Sequence, residues 1–142
     1  MDYYDPSGYD CELKQLYKKY TPVQYEGTVK VGGVERDVSR KVFQNNEIDW
    51  YKKLPNGKTN LELAMSGNAP IGKDGKPIEL HHVLQKEPGC MVEIESSIHS
   101  NNHQVLHGLI EDGDSFRNNP VLNKQYKNFK RKYWRWRAEN VK

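Results

Sequence analysis

The sequence predicts an α+β fold on three observations. Short alternating apolar segments separated by Gly, Pro and Asp turns are typical of strands, residues 59–67 carry helix-capping signals, and residues 120–139 have apolar side chains at helical spacing. The chain has 142 residues, the usual length of one domain with a single core. We therefore predict one domain over residues 25–142, preceded by a linker and a short helix within residues 1–24.

The first part of the chain is expected to contain a helix and a hairpin. A short amphipathic helix is predicted at about Glu12–Tyr20, ended by Pro22. Gly32-Gly33, between GTVKV and VERDV, is a two-residue hairpin signal. It predicts strands at about 27–31 and 34–43.

The middle of the chain is predicted to contain a short helix and then two strands. Thr59 to Glu62 is a capping box, which opens a helix that Gly67 ends. The Asp74-Gly75 turn leads into the strand IELHHVLQ, and MVEIE alternates as a second strand after a Pro-Gly turn. Ser96 is expected to cap a further helix that runs to about Ile110.

Composition limits the possible classes of protein. Charged residues make up 29% of the chain and aromatic residues 11%, which favours a small aromatic core over wholesale disorder. No apolar run approaches the roughly 20 residues of a membrane span, so no membrane partner is expected. Cys11 and Cys90 are too few and too far apart for a disulfide framework, and both are expected to be thiols.

Residues 117–142 are strongly basic. Nine Lys or Arg residues against one acid, Glu139, give this segment a charge of +8, which leaves −5 for the rest of a chain whose net charge is +3. Interleaved aromatic residues make a contact with phosphate groups the expected role, and a solvated surface helix is the alternative. Asn119-Pro120 is expected to open a helix at about 120–139, whose apolar stripe packs on the domain. The candidate phosphate contacts are Lys124, Lys127, Lys130, Arg131 and Arg135.

The five histidines all lie in the predicted strand–strand–helix segment at about 77–110. His81 and His82 are neighbours on the first strand, while His99, His103 and His107 recur at intervals of four on the helix. This interval places the three helical imidazoles within an arc of about 80°. Imidazoles so arranged can share one metal ion with a ligand from the strand.

The neighbouring strand histidines favour two different roles. Successive strand residues face opposite sides, so both imidazoles cannot face the helix in a regular strand. One is expected to bind metal and the other, with an ordinary imidazole pKa of about 6.5, to act as a general base. A zinc protease is disfavoured, because Ser100 or Gln104 stands where HExxH has its glutamate. The histidines together with the basic segment favour a nuclease.

The segments GNAPIGKDGKPIELHHVLQ and EIESSIHSNNHQVLHG resemble the LHH group of HNH/endonuclease VII nucleases. This group includes toxin domains at the C-termini of bacterial polymorphic toxins, among them LXG proteins. The resemblance covers roughly residues 34–137. It implies a ββα-metal, HNH-like core with an N-terminal hairpin and helix extension and a basic C-terminal helix. It also implies one divalent metal ion, either Zn, Mg, Mn or Ni, and cleavage of DNA.

The resemblance also implies residue roles. His81 would bind the metal ion and His82 would be the general base, while His103 and His107 would supply the remaining ligands. His99 would stand near the place of the middle Asn of HNH, where it would bind metal or orient His82.

The implied protein is a metal-dependent DNA endonuclease toxin of interbacterial competition with little sequence specificity. It would be secreted as part of a larger toxin, act in the cytoplasm of the target bacterium and be neutralised by an acidic immunity protein. The alternatives are an RNA-cleaving toxin and a non-catalytic, metal-stabilised nucleic-acid-binding module.

Overall fold

The computed structural model describes residues 20–83, 87–97 and 118–141. Its elements in chain order are β1 (Tyr20–Tyr25), β2 (Thr28–Val31), β3 (Val34–Asp37), β4 (Arg40–Asn45), α1 (Asn60–Met65), β5 (Glu79–His82), β6 (Met91–Ile94) and α2 (Pro120–Glu139). Four strands form the main sheet in the order β1-β4-β6-β5, and β2 and β3 form a separate hairpin. Within the main sheet only β4 and β6 run parallel. The described fold is therefore mixed α+β, as predicted.

The aromatic stripe of α2 forms one wall of the main core. Tyr126, Phe129 and Tyr133 are buried, and Leu122 and Trp136 are partly buried against the same cluster. The ring of Tyr25 on β1 meets Phe129, Tyr133 and Trp136 edge-on, with centroids 5.1 to 5.7 Å away. Full burial of one such side chain stabilises a fold by roughly 1.5–3 kcal/mol, so the stripe is a large part of what holds α2 in place. The predicted packing of this helix is confirmed.

The predicted hairpin forms, but its second strand is shorter than expected. Gly32 and Gly33 have φ of +59° and +80°, the left-handed pair that a two-residue turn of this kind requires. Instead of one strand over 34–43, β3 ends at Asp37 and β4 begins at Arg40 in the other sheet. The backbone N–H of Ser39 donates to the Asp37 carboxylate at 2.9 Å. This local bond replaces a ladder bond and redirects the chain between the two sheets.

The helix predicted at Glu12–Tyr20 is wrong at Tyr20, which begins strand β1. Pro22 was expected to end that helix but lies within the strand. A proline donates no ladder hydrogen bond, and β1 tolerates it because it is an edge strand of the main sheet. The strand crosses the predicted boundary between residues 24 and 25, and residues 1–19 lie outside the described part of the chain.

Helix α1 forms as its capping box predicts. The Thr59 hydroxyl accepts from the backbone N–H of Glu62 at 3.2 Å, and the Glu62 carboxylate accepts from the Thr59 N–H at 3.0 Å. Gly67 follows with φ of +87°, and a Cβ there would lie 2.6 Å from Cγ of Arg131 on α2. Glycine at this position therefore both ends the helix and lets α1 approach α2.

The composition also led to expectations about the cysteines and about membrane spans. Cys90 is disulfide-bonded, so the prediction of a thiol is wrong for this residue, while Cys11 lies outside the described residues. Separation along the sequence does not decide whether a cysteine meets a partner in the folded chain. Among the described elements, no helix combines the length and the apolar character needed to cross a membrane.

Candidate functional site

His81 and His82 are the last two residues of β5, at the edge of the main sheet. They lie opposite Val92 and Met91 of β6, which confirms that the pair occupies a strand of an antiparallel β5–β6 unit. His81 is 9% exposed and His82 only 2%. Because strand residues alternate, His82 shares the side of Leu80, which α2 covers, and His81 faces the other side.

Tyr126 of α2 connects the helix to this strand. Its hydroxyl donates to the Leu80 carbonyl at 2.7 Å, and its ring lies 4.7 Å from the His82 ring between centroids. The ammonium of Lys130, which is also on α2, lies 4.3 Å from the centroid of the Tyr126 ring. The basic helix is thus directly attached to the histidine strand by one aromatic residue.

His82 takes part in a buried polar network centred on Glu87, which we call the Glu87 network. Nε2 of His82 lies 2.7 Å from Oε1 of Glu87. Arg40 donates to both carboxylate oxygens at 2.7 and 2.8 Å, and the Gln125 amide donates to Oε2 at 2.6 Å. All four side chains are buried, and they come from β4, β5, the segment after β5, and α2. The network therefore joins the histidine strand to the rest of the domain.

Glu87 is ionised in this environment. Burial by itself raises the pKa of its carboxyl, but the hydrogen bonds from His82, Arg40 and Gln125 and the Arg40 charge outweigh burial and lower the pKa to about 2. An ionised carboxylate has no hydrogen to donate. The Nε2 atom of His82 therefore carries the hydrogen of the bond to Glu87.

The depressed pKa predicts a loss of stability in acid. The folded-state pKa of Glu87, about 2, lies below the ordinary value of 4.5, so the carboxylate stabilises the fold above pH 4.5 and loses this contribution as the pH falls towards 2. Chemical denaturation across this range should show a smaller loss of unfolding free energy for Glu87→Gln than for the wild type. Equal losses in both proteins would contradict the assignment.

A second buried network surrounds Glu93 on β6. Its carboxylate accepts from the backbone N–H of Asn45 at 2.7 Å, from Nε of Arg137 at 2.9 Å and from the Tyr133 hydroxyl. Burial and the Glu93 charge raise the pKa of Tyr133 well above its ordinary value, which keeps the phenol a donor. Arg137 is thus a basic residue of α2 that is buried and bonded to the sheet. This network ties α2 to the sheet independently of the histidines.

Sequence reasoning missed both networks, although a signal for them exists. Gln125 and Arg137 are polar residues at positions in helical register with the aromatic stripe of α2. Glu93 lies on the same face as Met91, on a strand that proves to be central and buried on both faces. A polar side chain on an apolar face is a candidate for a buried hydrogen-bond network.

A cleft of about 470 Å³, which we call the basic cleft, lies between α2, the turn after α1 and the start of β5. Lys127, Lys130 and Arg131 line it from α2, and Glu79 and Leu80 line it from β5. Lys127 and Arg131 are exposed. The structure therefore brings three of the five predicted phosphate contacts beside the histidine strand.

The other two predicted contacts lie on the same helix. Lys124 and Arg135 are exposed, and Nε of Arg135 is 3.2 Å from the position that a Cβ on Gly67 would take. Arg135 thus stands next to Gly67, which itself lines the basic cleft.

Of the predicted metal ligands, one lies within the described residues. His81 is described, whereas His99, His103 and His107 lie outside the described residues. Residues 96 and 97, one residue beyond the end of β6, are helical, so the strand–strand–helix order begins as predicted. Across residues 20–83, 87–97 and 118–141, no three His, Cys, Asp or Glu side chains are grouped so that they could hold a metal ion. The His81 imidazole has the donor chemistry that divalent zinc or nickel accepts.

A mixed α+β domain with a histidine pair on an edge strand beside a cationic cleft has the features of a phosphodiester-cleaving protein. Residues 59–140 match the family model LHH, described as a nuclease of the HNH/ENDO VII superfamily with conserved LHH. The matched segment is more than half of the chain and contains Leu80-His81-His82, so the chain belongs to this nuclease family. No solved structure matches the chain.

Proposed function

We propose that this nuclease is a metal-dependent endonuclease that hydrolyses DNA with little sequence specificity. The observation that carries the proposal is the basic cleft, where Lys127, Lys130 and Arg131 stand beside Leu80 of the histidine strand. Cationic side chains neutralise phosphates without reading bases. A duplex held there by its backbone would be presented to the histidines at whatever sequence happened to be bound.

His81 is proposed to be a metal ligand together with His103 and His107, with His99 as a further ligand or as a residue that orients the base. The chemistry of the imidazole donors fits a divalent ion, and the His82 nitrogen that bonds to Glu87 is already committed to that hydrogen bond. When bound, such an ion supplies stabilisation of the negative charge that develops on the phosphate and on the leaving oxygen.

His82 is proposed to be the general base. Its imidazole would take a proton from the attacking water, whose oxygen forms a bond to phosphorus while the bond to the 3′-oxygen breaks, and the 3′-oxygen would take a proton from a solvent water. The products would carry 5′-phosphate and 3′-hydroxyl ends. Because His82 is 2% exposed, this role requires that water reach Nδ1 in the substrate-bound state. Catalytic contacts are commonly completed only when substrate is bound.

The test is digestion of plasmid DNA and of RNA by the purified chain, each with Mg²⁺, Mn²⁺, Zn²⁺ or Ni²⁺ and with chelator. We expect nicked and linear plasmid with at least one metal and none with chelator. Cleavage of RNA alone would support an RNA-cleaving toxin instead. A shifted but uncut plasmid under every condition would support a non-catalytic nucleic-acid-binding module.

We further propose that the nuclease is the toxic part of a larger secreted protein and acts in the cytoplasm of a target bacterium. A producing cell would then need an immunity protein. Acidic residues on this inhibitor would complement the exposed cations of the basic cleft, and its association would be faster at low salt. Survival of bacteria that produce the active chain without any partner would contradict this part of the proposal.

A further inference from the structure

We infer that Glu87 is a positioning residue for His82, which fixes the tautomer and the ring orientation that the proposed base needs. The inference rests on the proposed function for its catalytic meaning. Its geometric basis is independent of that function, since Nε2 of His82 lies 2.7 Å from Oε1 of Glu87 and both side chains are buried.

The surroundings hold the Glu87 carboxylate in one orientation. Arg40 donates to both oxygens, and its own Nε donates to the Val38 carbonyl at 2.9 Å, which holds the guanidinium in place. Gln125 donates to Oε2 at 2.6 Å. The amide oxygen of Gln125 accepts from Nε of Arg36 at 2.5 Å, so the amide nitrogen faces Glu87. Because the carboxylate is held in this way, Oε1 of Glu87 offers Nε2 of His82 a hydrogen-bond acceptor in a fixed direction.

This arrangement determines the tautomer of the neutral His82 ring. The carboxylate accepts the hydrogen of Nε2, so the lone pair of the neutral ring is on Nδ1. A carboxylate that holds an imidazole in one tautomer also stabilises the imidazolium that forms when the base takes a proton. Tyr126, 4.7 Å from the ring and bonded to the Leu80 carbonyl, limits rotation of the imidazole. Glu87 would therefore act on the reaction only through His82.

The variant Glu87→Gln should favour the opposite tautomer of the His82 ring. A carboxamide has one oxygen, and Arg40 directs one donor at each of the two positions. Gln125, whose amide is held by Arg36, directs a further donor at Oε2, whereas the His82 ring can change its tautomer, so the oxygen is expected at the Oε2 position. With the oxygen there, the amide NH₂ takes the Oε1 position and donates to Nε2 of His82. The hydrogen of the ring then moves to Nδ1, which is the wrong tautomer for a base acting at Nδ1.

The matched control is Glu93→Gln. Glu93 is equally buried and also bonds to an arginine, but its partners are Arg137, Tyr133 and Asn45 and not a histidine. Both substitutions remove a buried negative charge beside a guanidinium, so both should lower the melting temperature. Only Glu87→Gln should change the tautomer of the His82 ring.

Two measurements test the inference on the full chain. The first is the imidazole ¹⁵N NMR spectrum at about pH 8, where ordinary imidazoles are neutral, with the His82 signals identified by their loss in His82→Gln. We expect the Nε2–H tautomer in the wild type and in Glu93→Gln, and the Nδ1–H tautomer in Glu87→Gln. The second is plasmid cleavage, where Glu87→Gln should lower kcat by roughly 10²-fold or more with KM unchanged, while Glu93→Gln retains kcat at a temperature where it is folded.

The wild-type spectrum decides the inference even if Glu87→Gln does not fold, because an Nδ1–H tautomer in the wild type would overturn it. Equal loss of kcat in both glutamine variants would also overturn it, since that pattern indicates a structural role alone. If the wild type shows the Nε2–H tautomer but cuts no nucleic acid, the geometric assignment stands and the proposed function fails.

Discussion

Replacing His82 by glutamine is expected to slow plasmid cleavage by about 10²–10⁴-fold, the usual contribution of a general base. Glutamine retains an N–H that can donate to Glu87, which in the wild type accepts from Nε2 of His82 at 2.7 Å. The fold and the affinity for the metal ion should therefore be retained. Metal binding by calorimetry, measured beside plasmid nicking, separates the loss of the base from the loss of a ligand.

His81→Ala is the companion variant, because His81 precedes His82 on β5 but faces the other side of the strand. Because His81 is a proposed ligand, the His81→Ala variant should lose metal affinity along with activity, and excess metal should restore part of its cleavage rate. Excess metal should not restore the cleavage rate of His82→Gln. Loss of metal by His82→Gln with retention by His81→Ala would exchange the two roles, and normal cleavage by both variants would remove the pair from the active site.

The triple variant Lys127→Glu, Lys130→Glu and Arg131→Glu is expected to weaken DNA binding by about 10²-fold or more at moderate salt. Each lost phosphate contact should reduce the slope of log affinity against log salt by close to one unit. These three side chains line the basic cleft, while the aromatic stripe that holds α2 is buried and unchanged. The protein should therefore remain folded. Binding to a labelled duplex across a salt series provides the affinity and the slope.

The control for this variant reverses three cations elsewhere. Lys52, Lys53 and Lys58 are exposed residues of the segment between β4 and α1, and they are not part of the basic cleft. Their replacement by Glu produces the same change in net charge. A similar loss of affinity in both triple variants would indicate a nonspecific effect of net charge, and an unchanged slope in the α2 variant would return this helix to the role of a solvated surface.

Part of the candidate site can be predicted from the sequence. The sequence predicts a strand for the LHH stretch and a buried aromatic side for the basic helix, and both predictions are confirmed. The partner of His82 could not be predicted, because MVEIE and EPGC contain no local signal for which glutamate meets a histidine. The cleft also depends on where α2 crosses the sheet, which the spacing of its apolar residues does not specify.

The sequence by itself determined the features that depend on near neighbours. The capping box of α1 joins residues three apart, the Gly32-Gly33 turn needs only two left-handed residues, and the stripe of α2 repeats every three or four residues. Their energies come from contacts within a few residues, so the local pattern is sufficient. The same reasoning failed at Tyr20, where pairing with β4 outweighed a local helix signal.

The tertiary structure alone decided the chemistry around His82. Glu87 meets Arg40 from 47 positions away and Gln125 from 38 positions away. These residues are brought together by the parallel pairing of β4 with β6 and by the docking of α2. A buried carboxylate is retained only where such donors converge on it, since an unpaired charge in the core costs several kcal/mol. Which glutamate receives the arginine and orients the histidine is therefore a property of the assembled core.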